Sequence, residues 1–235
     1  MKFGVVRFPG SDCDDAVHLL STVLAGRGSR GRIVAHDQNV LGEVDAVVLP
    51  GGVAPIAGVG NTTSVDAAIM AAVVEFANAG GPVLGICGGF HALCAAGLLD
   101  GALAGNTEPG FLRRDVHVVV EGRPTPFTQA IPAGRHIRMS VAHARGRFTH
   151  DDVDQLEAEG RVVFRYCTAD GGVYSAANPN GSVGNIAGIC NAVGNVVGLM
   201  PHPERACDDS ASDDGHTLFE SALAWQAGSP SRVGG

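Results

Sequence analysis

The N-terminal half of the chain alternates short β-rich apolar runs with stretches of helical periodicity. Strand-length apolar runs lie at 2–8, 32–36, 45–49 and 82–86. Helical patterns lie at 12–24, 65–79 and 90–96. A strand, a helix and a further strand in this order are typical of parallel strands joined by crossover helices. The alternation therefore predicts an α/β fold with a mostly parallel central sheet and helices on both faces.

From residue 116 onward the strand-like runs are more closely spaced. They lie at 116–121, 161–166 and 196–200, and helical patterns lie at 151–159 and 216–225. We expect this half to be a mixed extension of the same sheet. No repeat or linker divides the chain, so we predict a single domain over 1–228. The segment 229–235 lacks apolar residues that could pack and is expected to be a frayed tail.

The composition excludes several classes of function. The formal net charge is −8, and the 16 basic residues are scattered, which argues against a nucleic-acid partner. No apolar run approaches the roughly 20 residues that a membrane span needs, and Met1 leads directly into a strand-like run instead of a signal peptide. The six cysteines show no zinc-binding spacing, so we expect reduced thiols, no metal site and a cytoplasmic location.

The run Gly-Ile-Cys-Gly-Gly at 85–89 follows an apolar strand directly and precedes a helical pattern. This order is typical of a nucleophile elbow, in which a sharp turn exposes a side chain above the sheet. Cys87 would be the nucleophile, and the amide of Gly88 could face the oxyanion of a reacting carbonyl. A buried cysteine in a tight strand-to-helix turn explains this segment equally well.

Two further segments offer partners for such a thiol. His202 stands between two prolines, and Glu204 is close enough to orient its imidazole if both project to one side of an extended segment. Gly51 and Gly52 end the 45–49 strand at the edge where parallel sheets place their sites, and their amides could complete an oxyanion hole. Taken singly, these segments are also compatible with an ordinary surface loop and an ordinary turn.

Together the Gly-Gly turn, the Gly-x-Cys-x-Gly elbow and the late His-x-Glu resemble the class I, triad-type glutamine amidotransferases. The resemblance implies a flavodoxin-like α/β architecture and a glutaminase. Cys87 would attack glutamine, His202 would act as the base and Glu204 would orient His202. Gly52 and Gly88 would form the oxyanion hole.

Further segments are similar to one branch of this family, the glutaminase subunits of phosphoribosylformylglycinamidine synthases. They lie at 8–14, 142–148, 178–189 and 200–205, in the same order as in that branch. The resemblance implies that ammonia passes to a synthetase subunit in de novo purine biosynthesis, with a small accessory subunit as a further partner. ATP and magnesium would bind the synthetase, because this chain contains no phosphate-binding Gly-x-x-x-x-Gly-Lys-[Ser/Thr] run.

The chain departs from that branch at two places. The segment 53–62 lacks the family's aromatic and charged residues, and His91 replaces the Gln found four residues after the nucleophile. By resemblance Gly51, His91 and His143 would border the glutamine. A structural turn is an equal alternative for His143, whereas Cys94 is expected in the core and the acidic cluster at 208–214 in a solvated loop. The departures leave two other functions open, a thiol amidase for another small amide and a non-catalytic scaffold subunit.

Overall fold

The computed structural model describes residues 1–52, 67–205 and 213–228, and in these residues the dominant feature is a nine-stranded sheet. The strands are β1 Lys2–Arg7, β2 Arg30–Ala35, β3 Ala46–Leu49, β4 Val83–Ile86, β5 Ala102–Gly105, β6 Leu112–Val120, β7 His136–His143, β8 Arg145–Thr149, β9 Val162–Cys167, β10 Ile186–Cys190 and β11 Val196–Leu199. The helices are α1 Cys13–His18, α2 Ile69–Asn78, α3 Gly88–Ala95, α4 Val153–Ala158 and α5 His216–Gly228. The sheet has the order β2-β1-β3-β4-β11-β10-β9-β6-β7, and β5 pairs with β8 separately.

One half of the large sheet is parallel. Strands β2, β1, β3, β4 and β11 pair in parallel, and every residue of β3, β4 and β11 is buried. Continuous burial is expected where both faces of a sheet are covered. All strand runs predicted for the N-terminal half are present, with ends that differ by one or two residues, and the α/β class is confirmed.

The other half, from β11 through β10, β9 and β6 to β7, is antiparallel. This is the mixed extension that the closer spacing predicted. Four strands were not predicted: β5, which precedes residue 116, and β7, β8 and β10 in the second half. Strand β7 is at the sheet edge and carries polar residues at several alternate positions, so it does not read as an apolar run.

The predicted helix at 12–24 is only partly α-helical. Helix α1 ends at His18, and a π-helical turn over Leu19–Val23 continues it. The predicted loop at 53–62, most of the acidic cluster at 208–214 and the tail at 229–235 lie outside the described residues. None of the helices in the described part of the chain is long and apolar enough to cross a membrane. The single-domain prediction stays a prediction.

Candidate active site

Cys87 lies between the last residue of β4 and the first residue of α3, in a strained turn. Its backbone has φ 48° and ψ −101°, and Asn185 is the only other non-glycine residue with positive φ in the described ranges. Such a conformation is costly and persists where the surrounding structure imposes it. The Cys87 N–H donates to Leu199 O at 2.8 Å, so the end of β11 holds the elbow from the side.

Close backbone packing holds α3 against the sheet. A Cβ on Gly89 would lie 2.0 Å from the carbonyl oxygen of Leu49, at the end of β3. No larger residue is tolerated at that distance, because a backbone carbonyl cannot move away as the end of a side chain can. The first amides of α3 are thereby held at the carboxyl edge of the parallel strands, where α/β proteins bind ligands.

His202 and Glu204 follow β11, which is the direct neighbour of β4. The His202 N–H donates to Ser140 O at 2.8 Å, and His202 Nδ1 is 2.7 Å from Glu204 Oε1. The prediction that these residues form an extended segment is wrong, because Pro203–Arg205 forms a 3-10 turn. The turn brings the carboxylate back to the imidazole, and both side chains are essentially inaccessible to solvent.

In the buried pair, His202 has a defined tautomer and a raised pKa. A carboxylate only accepts hydrogen bonds, so Nδ1 of His202 carries a proton and, in the neutral ring, Nε2 carries the lone pair. Burial lowers the pKa of His202, but the Glu204 carboxylate and the neighbouring Cys87 thiol outweigh burial and raise it above its usual value. His202 is therefore a strong base beside the thiol.

The thiol and the imidazole are neighbours without a fully formed hydrogen bond. Cys87 Sγ is 3.9 Å from Ala142 O, and Nε2 of His202 has no partner with hydrogen-bond geometry among the described residues. Catalytic hydrogen bonds are often loose in this way and tighten when a substrate binds. The two groups predicted to meet are thus brought together.

A cavity of about 510 Å³ opens above the elbow. Five of the predicted site residues line it: Gly52, Cys87, Gly88, His91 and His143. His202 and Glu204 lie buried behind the thiol, and Gly51 packs against the imidazole. A nucleophile at the floor of a cavity with a buried base behind it is an arrangement suited to acyl transfer.

The family model of the CobB/CobQ-like glutamine amidotransferase domain matches residues 2–226. The chain belongs to this family. The resemblance inferred from the sequence motifs is thereby confirmed, and the amidotransferase fold agrees with the architecture described above.

Relatives of this amidotransferase chain match over nearly their whole length. Phosphoribosylformylglycinamidine synthase subunit PurQ of Salinibacter ruber is 45% identical, with 94% of this chain and 95% of the relative covered. The subunit of the same name from Moorella thermoacetica is 44% identical, with 96% of each chain covered. A chain in the structure of PurLQS from Thermotoga maritima superposes with a TM-score of 0.81 at 34% identity, covering 96% of this chain and 98% of that one.

Gly51 gives the imidazole of this amidotransferase its space. A Cβ on Gly51 would lie 2.3 Å from Cε1 of His202. The backbone of the same turn is held by the Asp12 N–H, which donates to Gly51 O at 2.9 Å, and by a bridge between Ser11 and Gly52. Gly51 was predicted to border the substrate, and in the structure its contact is with the base.

Gly51→Ala is therefore expected to displace the imidazole. Misplacement of a catalytic group by about 1 Å costs up to about 100-fold, and we expect kcat/KM for glutamine to fall about 10- to 100-fold. Steady-state assays of glutamate release would measure the loss. Gly26→Ala is the matched control, because a Cβ there meets nothing within 4 Å. Wild-type kcat/KM in a folded Gly51→Ala protein would contradict this account.

His91 lines the cavity but is engaged with the backbone. Its Nε2 is 2.8 Å from Arg145 O, and a carbonyl only accepts, so Nε2 carries the proton. Burial lowers the pKa of His91. His91 thus supports the wall of the cavity formed by 143–146, and its predicted contact with the substrate stays a prediction.

His143 is almost completely buried at the end of β7, and its pKa is strongly perturbed. Burial, followed by the nearby imidazoles of His202 and His91, lowers the pKa of His143 to about 4. Nδ1 is 3.1 Å from Asn106 Oδ1, whereas Nε2 is buried without a hydrogen-bond partner among the described residues. His143 is therefore neutral at physiological pH.

The low pKa of His143 predicts a loss of stability in acid. Below pH 6.5 the unfolded chain binds a proton at this histidine and the folded chain does not, so the free energy of unfolding decreases as the pH falls towards 4. By pH 5 the lowered pKa of His143 reduces the free energy of unfolding by about 2 kcal/mol. Denaturant unfolding between pH 7 and 5 should show a smaller decline for His143→Gln than for wild type. The exposed His136, changed to Gln, should leave the wild-type decline unaltered.

Two kinds of residue at this site were not predicted from the sequence. Asn106 holds His143, and Arg113 and Arg145 line the cavity. None of the three stands in a motif with a chemical meaning of its own, so only their positions in space reveal them. Cys94 is partly buried and its pKa is raised to about 12 by burial, in agreement with a core role. No group of three potential metal ligands occurs in the described ranges.

Proposed function

We propose that this chain is the glutaminase subunit of a phosphoribosylformylglycinamidine synthase, which hydrolyses glutamine and supplies ammonia for de novo purine biosynthesis. The observation that carries the proposal is the Cys87 elbow, which lies beside a buried His202–Glu204 pair at the floor of the cavity. Relatives named for this subunit at 44–45% identity support the choice of reaction.

The first half of the reaction forms a thioester. The Cys87 thiol gives its proton to Nε2 of His202 while the sulfur attacks the carboxamide carbon of glutamine, and the C=O electrons move to oxygen. The amides of Gly52 and Gly88 stabilise this oxyanion, each by about 3 kcal/mol. When the oxyanion collapses, the C–N bond breaks and the imidazolium proton goes to the departing ammonia.

The second half releases glutamate. Nε2 of His202 takes a proton from water, the hydroxide attacks the thioester carbon, and the same amides stabilise the second oxyanion. The C–S bond then breaks and the sulfur recovers its proton from His202. Throughout, the Glu204 carboxylate holds Nδ1 protonated and stabilises the imidazolium.

Charged groups at the cavity suit a free amino acid. Arg113 and Arg145 line it and can receive an α-carboxylate. The carboxylates of Asp12 and Asp15 form ion pairs with Arg205 at the same cavity and can also receive an α-ammonium. A zwitterion is thus held with its side chain directed to the thiol. His91 and His143 complete the lining of the proposed substrate site, and Gly51 leaves space for the imidazole of His202 behind it.

The partner within this proposal is a synthetase subunit that binds ATP and magnesium and consumes the ammonia, together with a small accessory subunit. This chain needs no cofactor for thioester chemistry. Neither nucleic acid nor a membrane is a proposed partner, and the proposed location is the cytoplasm. The solved PurLQS assembly supports the choice of a synthetase partner.

The test is the release of glutamate from glutamine by the purified chain, alone and with its cognate synthetase. We expect turnover in the complex and formation of the amidine product when ATP and the nucleotide substrate are added. Other small amides are tested in parallel. A thiol amidase would hydrolyse one of them in preference to glutamine, whereas a glutaminase would not. A complex that makes the amidine from added ammonia but not from glutamine would establish a scaffold subunit instead.

A further inference from the structure

The segment that carries His143 into the cavity is held by buried and partly buried side-chain hydrogen bonds to its backbone. Strand β7 ends at His143 and β8 begins at Arg145, so the chain turns sharply beside the thiol. Asn106, from the segment after β5, makes two of these bonds and also binds the His143 ring. Asn180 supplies a further bond, since its Nδ2 donates to Gly146 O at 2.7 Å.

The orientation of the Asn106 amide is determined by its backbone partners. Its Oδ1 accepts from the N–H of Gly146 at 3.2 Å, and its Nδ2 donates to the carbonyl of His143 at 3.1 Å. A backbone N–H can only donate and a carbonyl can only accept, so a flipped amide would lose both bonds. The oxygen of Asn106 is therefore the atom that faces Nδ1 of His143, at 3.1 Å.

This orientation selects the tautomer of His143. An amide oxygen cannot donate, so Nδ1 of His143 is protonated and, in the neutral ring, Nε2 carries a lone pair. That Nε2 is buried and has no partner in the described part of the chain, while the residue lines the cavity beside Cys87. A buried acceptor without a partner carries a desolvation penalty that a ligand N–H relieves.

Close packing keeps the ring in this position. A Cβ on Gly146 would lie 2.4 Å from both Cε1 and Nδ1 of His143, so the glycine leaves the space that the imidazole occupies. Asn106 holds the ring at Nδ1, and Gly146 lies against the ring edge that runs from Nδ1 through Cε1 to Nε2.

We propose that Asn106 is a positioning residue of the substrate site, which holds His143 as the Nδ1–H tautomer so that the lone pair of Nε2 accepts a hydrogen bond from an N–H group of the bound amino acid. The identity of the ligand rests on the proposed glutaminase function, whereas the tautomer does not. Glutamine has N–H donors on its carboxamide and on its α-ammonium, and either group can donate a hydrogen bond to Nε2 of His143.

NMR of the protein labelled with ¹⁵N-histidine tests the tautomer directly, with His143→Gln used to assign the signals. We expect a protonated Nδ1 at pH 7. In Asn106→Asp a carboxylate replaces the amide beside the ring, and the midpoint of the His143 titration should rise by about 1 to 3 pH units. The other ionisable groups that face this ring, His202 and His91, are the same in both proteins.

Activity measured in the complex with the synthetase tests the role in binding. Asn106→Ala should lower kcat/KM for glutamine roughly 3- to 10-fold, the loss of one neutral hydrogen bond, and leave ammonia-dependent synthesis unchanged. In Asn106→Asp the acid limb of the glutamine pH profile should move towards neutral pH, which loss of packing alone would not cause. That movement should vanish in the Asn106→Asp, His143→Gln double variant.

Asn191→Asp is the matched control. Asn191 also organises a turn, accepting from the N–H groups of Gly194 and Val196, but it has no histidine on its amide oxygen. The acid limb of the glutamine pH profile of Asn191→Asp should equal that of the wild type. A protonated Nε2 on His143, or an unchanged acid limb in Asn106→Asp, overturns the inference. A wild-type complex without glutaminase activity overturns the proposed function, and the NMR result then decides the tautomer by itself.

Discussion

Replacing Cys87 with alanine is expected to lower glutamine hydrolysis by about 10⁴-fold or more. Among the described residues no other thiol lines the cavity, and the strained turn at φ 48° presents the Cys87 side chain to the cavity and to His202. Loss of the nucleophile in triad hydrolases has effects of this size or larger. The assay is glutamate release by the complex with the synthetase.

Two controls separate chemistry from folding in this experiment. Cys94→Ala alters a cysteine on the same helix whose thiol is partly buried and poorly ionised, and it should retain wild-type turnover. The Cys87→Ala complex should still make the amidine when ammonia is added, because the synthetase reaction does not use the thiol. Glutaminase turnover within tenfold of wild type in Cys87→Ala would exclude the thioester mechanism.

Glu204→Gln is expected to lower kcat/KM for glutamine by about 10²- to 10³-fold, within the range that general-base catalysis contributes. The side chain keeps its shape but loses its charge. The charge of Glu204, together with the Cys87 thiol, raises the pKa of His202 against the effect of burial, so without that charge the imidazole becomes a weaker base. The amide can also donate to Nδ1, which would place the proton on Nε2, where it cannot accept one from the thiol.

The matched control for this variant is Glu43→Gln, which removes a carboxylate from a solvent-exposed ion pair with Lys2. Exposed pairs contribute little, so its activity and stability should equal those of the wild type. Similar activity in Glu204→Gln and Glu43→Gln would show that the buried carboxylate has no part in catalysis.

Local chemistry made much of the fold predictable from the sequence. Strands β3, β4 and β11 of the parallel half are continuous apolar runs because both of their faces are covered, and such runs are visible without any tertiary information. The antiparallel half was harder to predict. Strand β7 alternates buried and partly exposed residues at a sheet edge and includes charged side chains, so its apolar signal is weak.

The elbow at Cys87 and the pairing of His202 with Glu204 were determined by residues close together in sequence, where a Gly-rich turn and a two-residue spacing carry the information. Their meeting was decided only by the tertiary structure, because β4 and β11 become neighbours through the order of the sheet. The orientation of Asn106 towards His143 was decided in the same way. A hydrogen bond between distant segments has no local pattern, since its geometry depends on how the whole chain packs.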